Sequence, residues 1–378
     1  MAPKTTPPVL GPRALNRATL DRQLLLRPSA LGAEEAVAHL VGLQAQNTKP
    51  PYYALAARLD GFRPEELAGL MKSRRVARIV SLRSTVHTHT ARDAVGLRRL
   101  VQAGAIDREL KMFRKGLDGV DLDRLTTLAT AYVEEEPRTP KQLREHLLRE
   151  WPDADPQALT IAARCLLLMV QVTPRGLWRR SGQVALTTAA AWFDGVDGIG
   201  GVDGVDGYAA DLDETVLRYL GAFGPASVKD MQTWCGLTRL RPAFERLRPR
   251  LLVFRDEHGT ELFDLPDAPR PDEDTPAPAR FLPEFDNLLL SHADRTRVVP
   301  AELRGRTWTG NQAHSVFLLD GFLAGLWRLE EGKERTTMTI EPFGRVTRGL
   351  RGELTAEAER TLRLLAPPDV PYDIVLPR

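Results

Sequence analysis

The chain is poor in cysteine and has no long apolar run. Its 378 residues contain two cysteines, Cys165 and Cys235, far apart in sequence. Such a pair forms neither a disulfide framework nor a CxxC metal site, so both are predicted to be small apolar core residues. No stretch approaches the ~20 apolar residues of a membrane helix, and the N-terminus lacks the apolar segment of a secretory signal. We therefore expect a cytoplasmic protein with no membrane partner.

Lysine is also scarce. Of the 52 basic residues 8 are lysines, which leaves 44 arginines. The formal net charge of +2 does not by itself indicate a nucleic-acid-binding protein. Arginine, however, forms forked pairs with phosphate and with guanine edges, and a near-neutral protein can carry a basic groove. A GC-rich genome would also raise the arginine content, so both explanations stay open.

The apolar periodicity predicts several helices followed by a short hairpin, three times in succession. These units span residues 15–100, 101–193 and 209–266. In the third unit, two consecutive helices with Gly236 between them predict a helix-turn-helix. Helices followed by a hairpin are typical of winged-helix proteins, in which the last helix contacts DNA and the hairpin is the wing. We therefore predict three tandem winged-helix units.

The segments outside these units differ in character. Residues 1–14 are predicted to be a disordered N-terminus, 194–208 a flexible Gly-rich loop and 267–279 an extended linker. The glycines of the loop fit neither the dinucleotide-binding fingerprint nor a calcium loop. Residues 280–378 contain strand-forming runs and one clear helix, Thr355–Leu365, which predicts a separate β-rich, barrel-like domain. The fold class is therefore α+β.

The most informative stretch is VGLQAQNTKPPYY. Gln44, Gln46, Asn47 and Lys49 form a polar cluster where a helix predicted over Ala33–Gln44 ends before two prolines. Residues i and i+2 of a helix point about 200° apart, so the glutamines can face one site only if the helix ends between them. A solvated polar helix end is the alternative.

An amide pair suits one class of reaction. Glutamines are weak bases, but they can hold a water molecule or a purine edge. A purine alkylated at N7 or N3 is already cationic, so an enzyme needs mainly to stabilise an oxocarbenium-like sugar and place a water beside C1′. The missing carboxylate therefore predicts a substrate with a good leaving group.

A basic run and two histidines follow the glutamines. The run consists of Lys72, Arg74, Arg75, Arg78 and Arg83. It is either a solvated face or a surface that contacts phosphates. Strand alternation places His87 and His89 on one face, where they can make polar contacts within the sheet, touch DNA or bind zinc. A third zinc ligand is not apparent nearby.

A third polar cluster lies in FLPEFDNLLLSHADRTRVV, residues 281–299. Ser291, His292 and Asp294 do not suggest a catalytic triad, because neighbours in a line rarely converge and no nucleophile-elbow motif is present. We predict instead a hydrogen-bonded turn that docks the β-rich domain, with Asn287 as a candidate contact to DNA or substrate.

Taken together, these motifs resemble the bacterial winged-helix DNA glycosylases of the AlkZ-like family. The resemblance runs from about Leu15 to beyond Arg328 and is carried by LNRATLDRQLLL, VGLQAQNTKPPYYALAARL, SLRSTVHTHTARD, FLPEFDNLLLSHADR and LLDGFLAGLWRL. It implies three winged helices around a concave DNA-binding surface, with a C-terminal β domain. The family's catalytic motif, Gln-x-Gln or Gln-x-Asp, falls here on Gln44-Ala45-Gln46, which implies that both glutamines are catalytic and position the water.

The resemblance also implies a substrate. The Gln-x-Gln subtype is linked to self-resistance against DNA-alkylating antibiotics, including bulky N7-guanine adducts and crosslinks. We therefore expect a nucleoid-associated, monomeric and monofunctional glycosylase of base excision repair, without metal or cofactor. Its partner would be double-stranded DNA carrying N7- or N3-alkylated purines. The candidate DNA or substrate contacts are Asn47, Lys49, Lys72, Arg74, Arg75, Arg78, Arg83, His87, His89 and Asn287.

Other possibilities stay open at this point. The chain can be a winged-helix transcription regulator without catalysis, a metal-dependent hydrolase that uses His87 and His89, or a protein that sequesters a drug at the glutamines. Lyase activity through Lys49 is also open. The base can be flipped into a pocket, or a bulky lesion can be trapped in place.

Overall fold

The computed structural model of the chain describes residues 7–196 and 208–377 as a mixed α+β protein, as the sequence predicts. The helices before residue 197 are α1 (Pro12–Arg22), α2 (Ala33–His39), α3 (Pro50–Arg58), α4 (Pro64–Lys72), α5 (Ala91–Leu100), α6 (Asp107–Met112), α7 (Leu122–Glu135), α8 (Pro140–Leu147), α9 (Pro156–Leu166) and α10 (Ala189–Phe193). Those after residue 207 are α11 (Leu212–Phe223), α12 (Val228–Cys235), α13 (Arg241–Leu247), α14 (Asn287–Leu290) and α15 (Arg348–Leu365). Most of the predicted 194–208 loop lies outside the described residues.

Local sequence explains where these helices begin and end. Proline occupies the first turn of α1, α3, α4, α8, α9 and α13, where its missing N–H leaves no hydrogen bond unmade. The side chains of Asp121 and Thr139 cap α7 and α8. Gly236 ends α12 in the left-handed conformation, so the turn before α13 lies at the predicted glycine. No helix among the described residues is long and apolar enough to cross a membrane.

The strands of the first two units form one sheet. Its antiparallel order is β2 (Leu43–Gln44), β4 (Val86–Thr90), β3 (Val76–Val80), β5 (Met169–Gln171) and β6 (Leu186–Thr188). The predicted hairpin of β3 and β4 is present, and the free edge of β3 pairs with β5 of the second unit. The two hairpins expected to be separate wings are therefore parts of one five-stranded sheet, because this pairing satisfies an otherwise open strand edge.

The N-terminus is ordered earlier than expected. Val9 and Leu10 form β1, which pairs in parallel with β7 (Leu252–Asp256), and β7 pairs with β8 (Glu261–Asp264). Helix α1 then begins at Pro12. The prediction of disorder over residues 1–14 is therefore wrong from residue 9 onward, because the edge of β7 provides hydrogen-bond partners that the proline-rich composition does not reveal. Residues 1–6 lie outside the described chain.

The C-terminal part is built on an open sheet. Its order is β15 (Tyr372–Val375), β14 (Thr336–Pro342), β13 (Phe322–Glu331), β12 (Val316–Leu319) and β9 (Arg280–Leu282). A separate hairpin consists of β10 (Trp308–Thr309) and β11 (Gln312–Ala313). Helix α15 packs on the sheet and begins seven residues before the predicted start at Thr355. Within the described residues the sheet does not close, so the predicted β-rich domain is not a closed barrel.

Buried arginines tie these parts together around α1 and α3. Arg22 donates to the carboxylate of Asp264 at 2.9 Å, and both side chains are buried. Arg58 forms a two-bond pair with Asp286 at 2.8 and 2.9 Å, again fully buried. Arg17 and Arg22 also donate to backbone carbonyls of the predicted linker 267–279. These contacts hold the first unit against the third unit and against the C-terminal part.

Candidate active site

The glutamine motif lies on a short strand instead of a helix end. Helix α2 ends at His39, and Val41 and Gly42 turn the chain with positive φ angles of 54° and 95°. Gln44 then pairs with His87 of β4, and the Ala45 amide donates to Val86 O at 2.8 Å. The predicted helix over Ala33–Gln44 is therefore wrong in its last five residues, because strand pairing replaces helical hydrogen bonds there.

Both glutamine side chains contact the segment 83–86. Gln44 is buried, with 7% of its surface exposed, and its Oε1 accepts a hydrogen bond from Arg83 Nη2 at 2.6 Å. Gln46 is exposed, and its Oε1 lies 3.4 Å from the amide of Val86. A guanidinium can only donate, so the Arg83 contact fixes which end of the Gln44 amide is oxygen. The Nε2 groups of both glutamines have no protein partner among the described residues.

Arg83 occupies a strained turn. Arg83 and Ser84 both have positive φ angles, 56° and 60°, a costly conformation for residues other than glycine. The turn is held because Arg83 also donates to the carbonyl of Trp234 in α12, and Ser84 donates to Glu109 in α6. Burial lowers the pKa of Arg83 to about 10, so the guanidinium stays charged at neutral pH. The turn therefore places a permanent cation against the Gln44 amide.

The two histidines form a buried wall behind the motif. His87 and His89 lie on one face of β4, as predicted, with their rings stacked at 5.5 Å. His89 Nε2 bonds to Ser81 at 2.8 Å, and His87 Nδ1 bonds to the carbonyl of Thr85 at 3.0 Å. Burial lowers the pKa of His89 to about 4 and that of His87 well below its usual value, so both are neutral near pH 7. Among the described residues, no group of three potential ligands could hold a metal ion.

Two further candidate residues brace the backbone of the motif. Arg78, buried in β3, donates to the carbonyl of Ala45 at 2.8 Å. Asn287, buried at the start of α14, donates to the carbonyls of Gly42 and Leu40 at 2.7 and 3.3 Å. Their direct contact with DNA stays a prediction, whereas these hydrogen bonds favour a positioning role on either side of Gln44.

Comparison with known proteins decides the family. The family described as DNA glycosylase AlkZ-like matches residues 37–364, which include the whole glutamine motif. The chain belongs to the AlkZ-like DNA glycosylase family. The family expected from the sequence motifs is thus confirmed, and with it an enzyme of DNA repair that acts on DNA.

A solved structure supports the same fold. The structure of Streptomyces sahachiroi DNA glycosylase AlkZ is similar to this chain with a TM-score of 0.74. The similarity covers 97% of this chain and 100% of that one, at 20% sequence identity. None of the curated proteins compared with the chain matches it. At this identity the structural match shows a common fold, and it leaves the substrate to be argued from the site.

The exposed polar residues after the glutamines are tied to the C-terminal part of this AlkZ-like glycosylase. Asn47 donates to Glu284 Oε1 at 3.0 Å, and Lys49 forms an ion pair with Glu331. Ser315 donates to the other carboxylate oxygen of Glu284 at 3.0 Å. Sequence reasoning missed Glu284 as a site residue, although it lies in the FLPEFDN run, because the contact spans 237 residues.

The basic run does not form one surface. Arg75 pairs with Glu34, and Arg74 donates to the carbonyl of Trp192 at 3.1 Å and lies over its ring. Only Lys72, at the end of α4, is exposed with no partner among the described residues. The prediction that this run contacts phosphates as a unit is untested, and the pairing of its members argues against it.

A cavity of about 360 Å³ opens between two residues connected to the motif. One is Phe285, next to Glu284. The other is Arg295, whose charge contributes to lowering the pKa of Arg83 after the larger effect of burial. Trp308, 40% exposed, meets Phe285 edge to face at 5.5 Å and forms part of the lining. The cavity therefore combines apolar and aromatic side chains with two guanidinium groups, those of Arg295 and Arg304.

The predicted docking role of residues 281–299 is confirmed. His292 Nε2 bonds to the carbonyl of Phe223 at 2.9 Å, and Tyr219 donates to the carbonyl of Ser291 at 2.8 Å. Burial lowers the pKa of His292 to about 3. These contacts hold the segment against α11, so Ser291 and His292 are structural. Both cysteines are buried and free, as predicted.

Proposed function

We propose that this glycosylase hydrolyses the N-glycosidic bond of purines alkylated at N7, or at N3, in double-stranded DNA. The proposal rests on one observation. The motif offers two amides and a guanidinium, and among the described residues no carboxylate bonds to either glutamine. Amides neither protonate a leaving group nor form a glycosyl ester. The substrate must therefore carry its own positive charge, as an N-alkylated purine does.

The pair then positions the attacking water. With Oε1 of Gln44 bound to Arg83, its Nε2 donates to one lone pair of the water. The oxygen of Gln46, held only by a long contact of 3.4 Å to the Val86 amide, accepts one of the water's protons. The other lone pair attacks C1′ as the C1′–N9 bond breaks. The cationic base leaves as a neutral purine, the sugar gains a hydroxyl, and one proton passes to solvent.

Bulky adducts fit this arrangement as well. The 360 Å³ cavity between Phe285 and Arg295 is large enough for a drug-like substituent of the purine. We propose that it receives such a substituent while the lesion is trapped in place. We further propose that the three helix-and-hairpin units act as winged helices around the DNA, with the glutamines facing the sugar of the modified nucleotide.

Base release from defined duplexes tests the proposal. Wild-type protein and a Gln44→Ala/Gln46→Ala variant are incubated with duplex DNA carrying N7-methylguanine, and alkali-cleavable abasic sites are measured. We expect release by the wild type and loss of release, with persistent DNA binding, in the variant. The exposed Gln183 provides a matched control, since Gln183→Ala removes an amide away from the motif.

The outcomes separate the alternatives. Equal release by the double variant would refute the catalytic role of the glutamines. No release by the wild type from any N7- or N3-alkylated duplex would refute the proposed substrate class.

A further inference from the structure

Helix α6 contacts the strained turn that carries Arg83, the residue that bonds to Gln44. Arg108, in its first turn, donates to the carbonyl of Gly236 at 2.8 Å. Gly236 ends α12, whose Trp234 carbonyl is bound by Arg83. Glu109 accepts from Ser84 in the strained turn. A DNA duplex that presents a nucleotide to Gln44 would therefore pass close to this helix.

Met112, the last residue of α6, is unusually exposed. It is 76% exposed, more than any other large hydrophobic side chain among the described residues. Its neighbours are anchored, because Leu110 and Phe113 pack against the core of the second unit. A single exposed apolar residue is common on protein surfaces and by itself indicates nothing. Here, however, the anchored backbone holds an apolar side chain out in solvent one helical turn beyond Arg108, about 6 Å away.

The cations around Met112 are unpaired. Lys111, Arg114 and Lys115 are exposed, and none has an ion pair or side-chain hydrogen bond among the described residues. The segment 111–115 thus presents three free positive charges around an exposed methionine.

The predicted recognition helix of the third unit is different. In and just after α13, Arg241 pairs with Glu261, Arg246 with Asp213 and Arg248 with Glu245. The cations of α13 are therefore already neutralised within the protein, whereas those of segment 111–115 are available to phosphates.

We propose that segment 111–115 is a DNA wedge. Met112 inserts between base pairs in the minor groove beside the lesion, and Lys111, Arg114 and Lys115 contact the flanking phosphates. Apolar wedges flanked by cations unstack a base step and bend the duplex in this way. The placement of the lesion rests on the proposed function, but the wedge itself requires only duplex DNA.

Two measurements on undamaged duplex test the wedge. The first is the fluorescence of 2-aminopurine, which rises when a base step is unstacked. Wild-type protein should raise it, Met112→Leu should retain the rise, and Met112→Ala should abolish it and weaken binding on the order of tenfold, as expected when a buried apolar side chain is removed. The second is the salt dependence of the affinity. The slope of log affinity against log salt concentration should become shallower in the triple variant Lys111→Gln/Arg114→Gln/Lys115→Gln. We expect a change of about 0.9 for each phosphate contact that is lost.

The matched control removes the same charge elsewhere. Lys333→Gln/Arg345→Gln/Arg348→Gln removes three cations of the C-terminal part that also lack an ion pair among the described residues. An unchanged salt slope in the first triple variant, or an equal fall in the control, would overturn the phosphate contacts. A full fluorescence rise with Met112→Ala would overturn the wedge. Failure of the wild type to release any base would refute the proposed function, while these binding results would still decide the wedge.

Discussion

The hydrogen bond between Arg83 and Gln44 yields the sharpest prediction for this glycosylase. Arg83→Met removes the guanidinium and keeps an unbranched side chain that resembles the apolar stem of arginine. Gln44 then loses the donor that fixes its oxygen at 2.6 Å. Its amide becomes free to rotate, so the Nε2 group that holds the water in the proposed mechanism is no longer aimed at the sugar.

The size of the effect follows from that hydrogen bond. A hydrogen bond to a charged group contributes about 1.5–3 kcal/mol. If this contribution is absent in the transition state, the rate of base release falls by roughly 10- to 150-fold. Arg83→Lys keeps the charge but has a single nitrogen, so it cannot reach both Gln44 and the Trp234 carbonyl as the two Nη groups of arginine do. We therefore expect a rate of base release between those of the wild type and Arg83→Met.

The assay is single-turnover release of N7-methylguanine at saturating enzyme, which excludes differences in DNA affinity. Arg108→Met is the matched control, because Arg108 bonds to the Gly236 carbonyl of the same α12 end without touching a glutamine. It should release base at nearly the wild-type rate. Thermal unfolding of both variants shows whether either change disturbs the fold.

The opposite outcome has a physical basis as well. The Arg83 cation also repels a cationic substrate, so removing it could accelerate release if orientation of Gln44 were unimportant. A folded Arg83→Met variant with a rate equal to or above that of the wild type would show that Arg83 does not position the amide.

Further predictions concern the supports of the site. Asp286→Ala leaves the buried Arg58 charge unpaired, and urea denaturation should show a loss of about 3–5 kcal/mol of unfolding free energy. Gly42 has a φ of 95°, and in Gly42→Ala the added methyl group would overlap the His89 ring. Both the melting temperature and the rate of base release should therefore fall. Unchanged values would contradict this packing. Between pH 6.5 and about 4, the His89 imidazole binds a proton in the unfolded chain but not in the folded protein. The free energy of unfolding should therefore fall as the pH is lowered through this window. It should fall less steeply in His89→Gln, which has no imidazole at this position. Trp308→Ala should slow the release of a bulky N7 adduct more than that of N7-methylguanine. Equal effects on both substrates would show that the adduct does not bind in the cavity that Trp308 lines.

Much of the architecture could be predicted from local sequence. Prolines and capping side chains mark helix starts correctly, because these signals act within one turn. Strand alternation placed His87 and His89 on one face, and the Gln-x-Gln motif, with its surrounding motifs, pointed to the family that the comparison confirmed. The helix predicted up to Gln44 failed, because helical and strand hydrogen bonds compete there and β4 decides the outcome.

The roles of the arginines were decided only by the tertiary structure. In sequence, Arg58, Arg78 and Arg83 are indistinguishable from phosphate-binding residues. In the fold, Arg58 pairs with an aspartate 228 residues away, Arg78 holds the Ala45 carbonyl and Arg83 holds Gln44. A cation becomes a structural or a DNA-binding residue according to whether an acceptor meets it on folding, and such acceptors come from distant segments. The sequence therefore determined the chemistry of the motif, and the packing of remote segments determined which charges remain free for DNA.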